Sequence, residues 1–71
     1  ADLNRSIDLV SSYASSYNNR GMVLSRLGRY EEALLDFDKA LTLDETAITY
    51  YNRGATYQEQ GNEALALADF D

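Results

Sequence analysis

Between residues 14 and 27, Tyr17, Gly21, Leu24 and Leu27 follow one another at spacings of 4, 3 and 3, which lays them in one stripe along a helix. Gly28 comes directly after, where a helix commonly ends in a left-handed conformation that glycine adopts without strain. Residues 30–43 keep the helical period. Tyr30, Ala33, Leu34, Phe37, Ala40 and Leu41 share a face with Leu43 at its edge, and Glu31, Glu32, Asp36, Asp38 and Lys39 fall largely opposite. Glu31 and Glu32 sit in the first turn, where negative charge suits the helix dipole. Asp44-Glu45-Thr46 interrupts the pattern; residues 47–60 then repeat the first helix, Gly61-Asn62 the turn, and Glu63 opens another helix. Nothing alternates with period two, so an all-α chain without strands is expected.

The repetition is literal. At an offset of 33 residues Tyr17-Asn-Asn-Arg-Gly21 lies over Tyr50-Tyr-Asn-Arg-Gly54, Gly28 over Gly61, Ala33 over Ala66, and Asp36-Phe37-Asp38 over Asp69-Phe70-Asp71. A fainter copy opens the chain, where Leu3, Ile7 and Leu9 match Phe37, Leu41 and Leu43 at an offset of 34. Self-similarity at this period is the signature of stacked helix-pair units.

The first unit reads Tyr17-x2-Arg20-Gly21-x2-Leu24 with Ala33-x3-Phe37, the second Tyr50-x2-Arg53-Gly54-x2-Tyr57 with Ala66-x3-Phe70. In these residues the chain resembles the tetratricopeptide repeat family, over essentially its whole length. Arginine stands at positions 20 and 53 where leucine is usual, Glu45 replaces the closing proline, and the stretch between units is one residue short. The resemblance implies antiparallel helix pairs stacked as a right-handed α-solenoid. In that register residues 1–13 are the end of a preceding unit, 14–46 a complete unit, and 47–71 a unit lacking the end of its second helix. A few stacked units with polar caps are usually needed to cover such apolar faces, and neither end has the character of a cap. Head-to-tail stacking or exchange of terminal helices through residues 1–10 and 63–71 is therefore a second expectation, making a homo-oligomer.

Composition narrows the chemistry. The 71 residues contain no His, Cys, Pro or Trp, so disulfides, Cys/His zinc sites and Ser-His-Asp or Cys-His nucleophiles are excluded. Six Lys+Arg against twelve Asp+Glu give a net charge of −6, which argues against binding a nucleic-acid backbone. No apolar run approaches the length of a membrane span. Neither an enzyme nor a cofactor is expected. A soluble, cytoplasmic setting is the favoured one of several the composition allows.

In the family, first helices of successive units line a groove that takes a peptide or partner helix. Carried over by position, the resemblance implies Asn18, Asn19, Met22 and Arg26 from the first full unit, and Tyr51, Asn52, Ala55 and Glu59 from the next. An Asn amide both donates and accepts, which suits contact with a peptide backbone. Arg26 is the lone base on that face and Glu59 opposes it, so a clamp for a terminal carboxylate is disfavoured. Arg20 with Asp36, and Arg53 with Asp69, recur in phase and are expected as structural ion pairs. The acidic set Glu31, Glu32, Asp36 and Asp38 lacks the loop of a calcium site and is read as a solvated face, not a metal site. Three functions remain open: a protein–protein interaction module working through the groove, a self-association module, or an accessory segment of a larger protein whose activity lies elsewhere.

Overall fold

The computed structural model describes the backbone of residues 2–70 and the side chains of residues 9–70. The expected apolar contributions of Leu3 and Ile7, and those of the terminal residues Ala1 and Asp71, lie outside the described residues. Four helices follow in order: α1 (Asp2–Arg26), α2 (Tyr30–Leu43), α3 (Ala47–Glu59) and α4 (Glu63–Phe70), with no strand among the described residues. They form two hairpins, α1 with α2 and α3 with α4, and α3 packs against both helices of the first hairpin.

Each hairpin turns on a glycine in the left-handed region, Gly28 at φ 82° and Gly61 at φ 83°. The Arg29 N–H reaches back to the Leu24 carbonyl at 2.9 Å and the Gly28 N–H to Ser25 at 3.1 Å. Asn62 to Tyr57 at 2.8 Å and Gly61 to Gln58 at 3.0 Å repeat that double closure, which satisfies carbonyls the helix end would leave without partners. Leu27 falls in the turn and is exposed, so it leaves the α1 stripe in which its spacing had placed it.

Between the hairpins Thr46 is extended, and its side-chain oxygen accepts the Thr49 N–H at 3.3 Å, capping α3. The corresponding position one repeat earlier is Tyr13, which offers no cap. Here the structure departs from the expectation of a second-helix tail over 1–13 and a new helix at 14. The backbone has no turn there, and α1 runs unbroken for 25 residues. Ser11 and Ser12 stand where the later linker has Asp44 and Glu45, no glycine or proline occurs before Gly21, and the Ser16 hydroxyl donates to the Ser12 carbonyl at 3.0 Å within the helix. Without a cap or a breaker, helical propagation continues. Leu9, Val10 and Tyr13 on this extension are exposed.

The buried apolar side chains are mostly small: Ala14, Ala33, Ala40 and Ala66, with Leu41 and Phe37. Close approach of the helices follows from that choice. A Cβ built on Gly21 meets the Phe37 ring at 2.7 Å, and one on Gly54 meets Phe70 at the same distance. Phe37 is fully buried because α3 closes over the first hairpin, whereas Phe70 is 40% exposed.

Candidate functional site

The first helices α1 and α3 bring a partly polar surface together. The Asn52 side-chain amide donates to the Asn18 side-chain carbonyl at 3.1 Å. Buried Thr56 lies 3.0 Å from the Ser25 hydroxyl and 3.0 Å from the Asn52 carbonyl. That carbonyl can only accept, so the Thr56 hydroxyl donates to it and Ser25 donates to Thr56. Beside these contacts is a shallow hollow of about 170 Å³, lined by Met22, Ser25, Arg26, Asn52, Ala55 and Glu59, with Phe37 and Thr56 at its base.

Five of the positions named from the sequence, Met22, Arg26, Asn52, Ala55 and Glu59, meet at this hollow. Asn18 is buried and bonded to Asn52, and Asn19 is exposed but outside the lining. Tyr51 turns elsewhere. With Ile48, Ala68 and Phe70 it borders an apolar hollow of about 730 Å³ at the open side of the second hairpin, its ring 5.3 Å from that of Phe70. Thr56 was not foreseen, because its register partner is Val23 and a valine gives no cue to a hydrogen-bonding position.

Arg20 and Arg53 lie outside the hollow. Arg20 holds Asp36 through two parallel bonds of 2.7 and 2.8 Å, and Arg53 holds Asp69 through bonds of 2.8 and 2.7 Å. This forked geometry is the one a guanidinium and a carboxylate share best. Each guanidinium also lies over a tyrosine ring, Arg20 over Tyr17 at 5.5 Å and Arg53 over Tyr50 at 5.4 Å. Arg53 has a third contact, reaching across to Asp38 of the preceding hairpin at 2.9 Å, and Arg20 has no counterpart to it among the described residues. Hydrogen bonding to the carboxylates pushes both guanidinium pKa values up, so both stay charged at any working pH. At the far end of the hollow Glu59 approaches the Tyr30 hydroxyl and raises its pKa, chiefly by hydrogen bonding. Among the described residues no group of three or more His, Cys, Asp or Glu converges as a metal site would, and no helix is long and apolar enough to cross a membrane.

Two helix hairpins in one register, each closed by an equivalent arginine fork and together leaving a partly polar hollow between their first helices, define a helical-repeat protein. The profile of the tetratricopeptide repeat matches residues 14–46. The chain belongs to the tetratricopeptide repeat family. It is 36% identical over 69 residues to human tetratricopeptide repeat protein 13, covering 97% of this chain and 8% of that protein. It is 34% identical over 67 residues to mouse DnaJ homolog subfamily C member 7, covering 93% of this chain and 14% of that protein, and the human form matches equally. The chain thus spans a small part of these relatives. No solved structure matches.

Proposed function

We propose that this chain mediates protein–protein interaction, as repeats of its family generally do, by holding a peptide or a partner helix in the hollow between α1 and α3. The observation that carries the reading is the convergence of Met22, Arg26, Asn52, Ala55 and Glu59 on one recess. Met22 supplies an adaptable apolar wall. Asn52 offers an amide, and Arg26 and Glu59 place opposite charges at the rim, which favours a partner of mixed charge over a purely acidic tail. No catalytic step is assigned to the chain.

The test is to pan a displayed library of short linear peptides on the protein and measure the selected peptides against two variants. Ala55→Arg fills the recess and is expected to weaken binding at least tenfold, about 1.4 kcal/mol. Leu35→Arg, at an exposed position outside the lining, is expected to leave it unchanged. Peptides that bind Ala55→Arg as well as the unmodified protein would overturn the assignment. A second reading, that the chain is an accessory segment of a parent with its activity elsewhere, is favoured by the small share of each relative it spans.

A further inference from the structure

Arg26 and Glu59 occupy the same register position in successive units, 33 residues apart, and carry opposite charges. The same offset relates Met22 to Ala55, so two such pairs line the recess between α1 and α3, one apolar and one charged. On each helix the two rows are four residues apart, which places them on one face a turn from each other. Phe37 and Thr56 lie at the base. At about 170 Å³ the recess falls below the volume of about 300 Å³ at which small-molecule sites begin, and has the scale of a side chain.

The two charges leave each other uncompensated. Among the described residues the ion pairs are Arg20–Asp36, Arg53–Asp38 and Arg53–Asp69, closed at 2.7, 2.9 and 2.7 Å, and neither Arg26 nor Glu59 belongs to one. Both are exposed at the rim. Glu59 is approached by the Tyr30 hydroxyl, a neutral donor that bonds a carboxylate without cancelling its charge. The rim thus has a positive end on α1 and a negative end on α3. Because the charges stand on different helices, a segment lying across the recess meets them in succession.

We infer that the partner of this recess is a protein segment in which one apolar residue has an acid on one side and a base on the other, laid so that the acid meets Arg26 over α1 and the base meets Glu59 over α3. The inference rests on the reading that the recess holds a peptide, and adds to it an order of charges. The apolar side chain enters between Met22 and Ala55 above Phe37, where the methionine adapts to its shape. Turned end for end, the same segment sets acid against Glu59 and base against Arg26, and both like-charge contacts are penalised. A segment with acids alone gains at Arg26 and loses at Glu59. The pair therefore selects the direction of binding as well as the composition of the partner.

The experiment pans a displayed library of short linear peptides on two proteins in parallel, the unmodified chain and a variant carrying Arg26→Glu with Glu59→Arg. Both positions are exposed and outside the ion pairs, and circular dichroism checks that helicity is kept. Peptides selected on the unmodified chain are expected to carry an acid and a base on opposite sides of an apolar residue, in one order; those selected on the variant are expected to carry the reverse order. Each set is expected to bind the other protein about tenfold or more weakly, and added salt is expected to narrow the gap. Peptides that lose binding to Ala55→Arg yet bind the charge-exchanged variant unchanged would overturn the order of charges and leave the groove standing. Peptides indifferent to Ala55→Arg, or a library that yields no binder, would overturn both. Selection of peptides with acids alone or bases alone would likewise overturn the inference.

Discussion

Replacing Gly21 by alanine tests whether close approach of the helices, more than chain flexibility, accounts for the glycine. An added Cβ lies 2.7 Å from Phe37 Cε1, 2.9 Å from Cδ1 and 3.0 Å from Cζ, where ordinary contact begins near 3.4 Å. The ring must therefore retreat by about 0.7 Å, the difference between 3.4 and 2.7. Phe37 is fully buried, so it has no open space to enter. Overpacking of this kind costs about 1–3 kcal/mol, and three crowded ring atoms put it near the top of that range. Alanine recovers about 1 kcal/mol of helix propensity. The net loss is about 2 kcal/mol, which for a domain of this size lowers Tm by roughly 8–16 °C. Thermal unfolding followed by circular dichroism reads it, and a double-mutant cycle isolates the cause. In a Phe37→Leu background the clash is relieved, so Gly21→Ala becomes neutral or stabilising, with a coupling of about 2–3 kcal/mol. An equal cost of Gly21→Ala in both backgrounds would refute the reasoning.

Arg53→Met removes the counter-ion of the half-buried Asp69 and the link to Asp38 together. The expected loss is about 2–3 kcal/mol in urea unfolding, below that of a wholly buried pair because Arg53 retains some exposure. Asp38→Asn cuts only the link to an exposed carboxylate and is expected to cost at most about 1 kcal/mol; equal losses for the two variants would contradict this ranking. Because the Tyr30 pKa is raised in the fold, its contact with Glu59 stabilises fully below the ordinary phenol range and is lost as pH rises through the raised value. In an ultraviolet titration Tyr30 is expected to ionise above the ordinary phenol range, and Glu59→Ala, which removes the acceptor, is expected to abolish the delay. A curve identical in both proteins would contradict it.

Elements that depend on local residue types were legible without coordinates. The period of the apolar stripe marks α2 over 30–43, and the phase of Gly28 and Gly61 marks the turns, because left-handed backbone has few alternatives to glycine. The continuity of α1 was not legible by register. Repeat matching carries a boundary from 46/47 back to 13/14, but the boundary is made by the Thr46 cap, and Tyr13 has no equivalent chemistry. For the candidate site, helix position singled out Met22, Arg26, Asn52, Ala55 and Glu59, which line one hollow, yet it could not separate a residue on that lining from one beneath it or beside it. Asn18 and Tyr51 occupy the same register position; one is buried against α3 and the other lies open at the end hollow. The difference is whether another helix follows, which is a property of the stack and not of the residue.

The substitution of arginine for leucine at positions 20 and 53 explains how such a stack can leave a face open. A leucine there would contribute to an apolar interface, and its uncovered copy would be a sticky patch. Arginine covers part of the adjoining tyrosine ring and keeps its own carboxylate, so exposed Arg20 has both a partner in the chain and contact with water. When a second hairpin arrives, as at Arg53, the same guanidinium has a free donor for the incoming carboxylate without releasing the first. The Asn52–Asn18 and Thr56–Ser25 bonds work alike, since each side is satisfied by water before docking and by a defined partner after it. An interface assembled from such groups gains little from a mismatched surface, which leaves donors without acceptors. Within the chain that penalty favours docking of the two hairpins in this one register, and the fully buried Phe37 adds an apolar contribution.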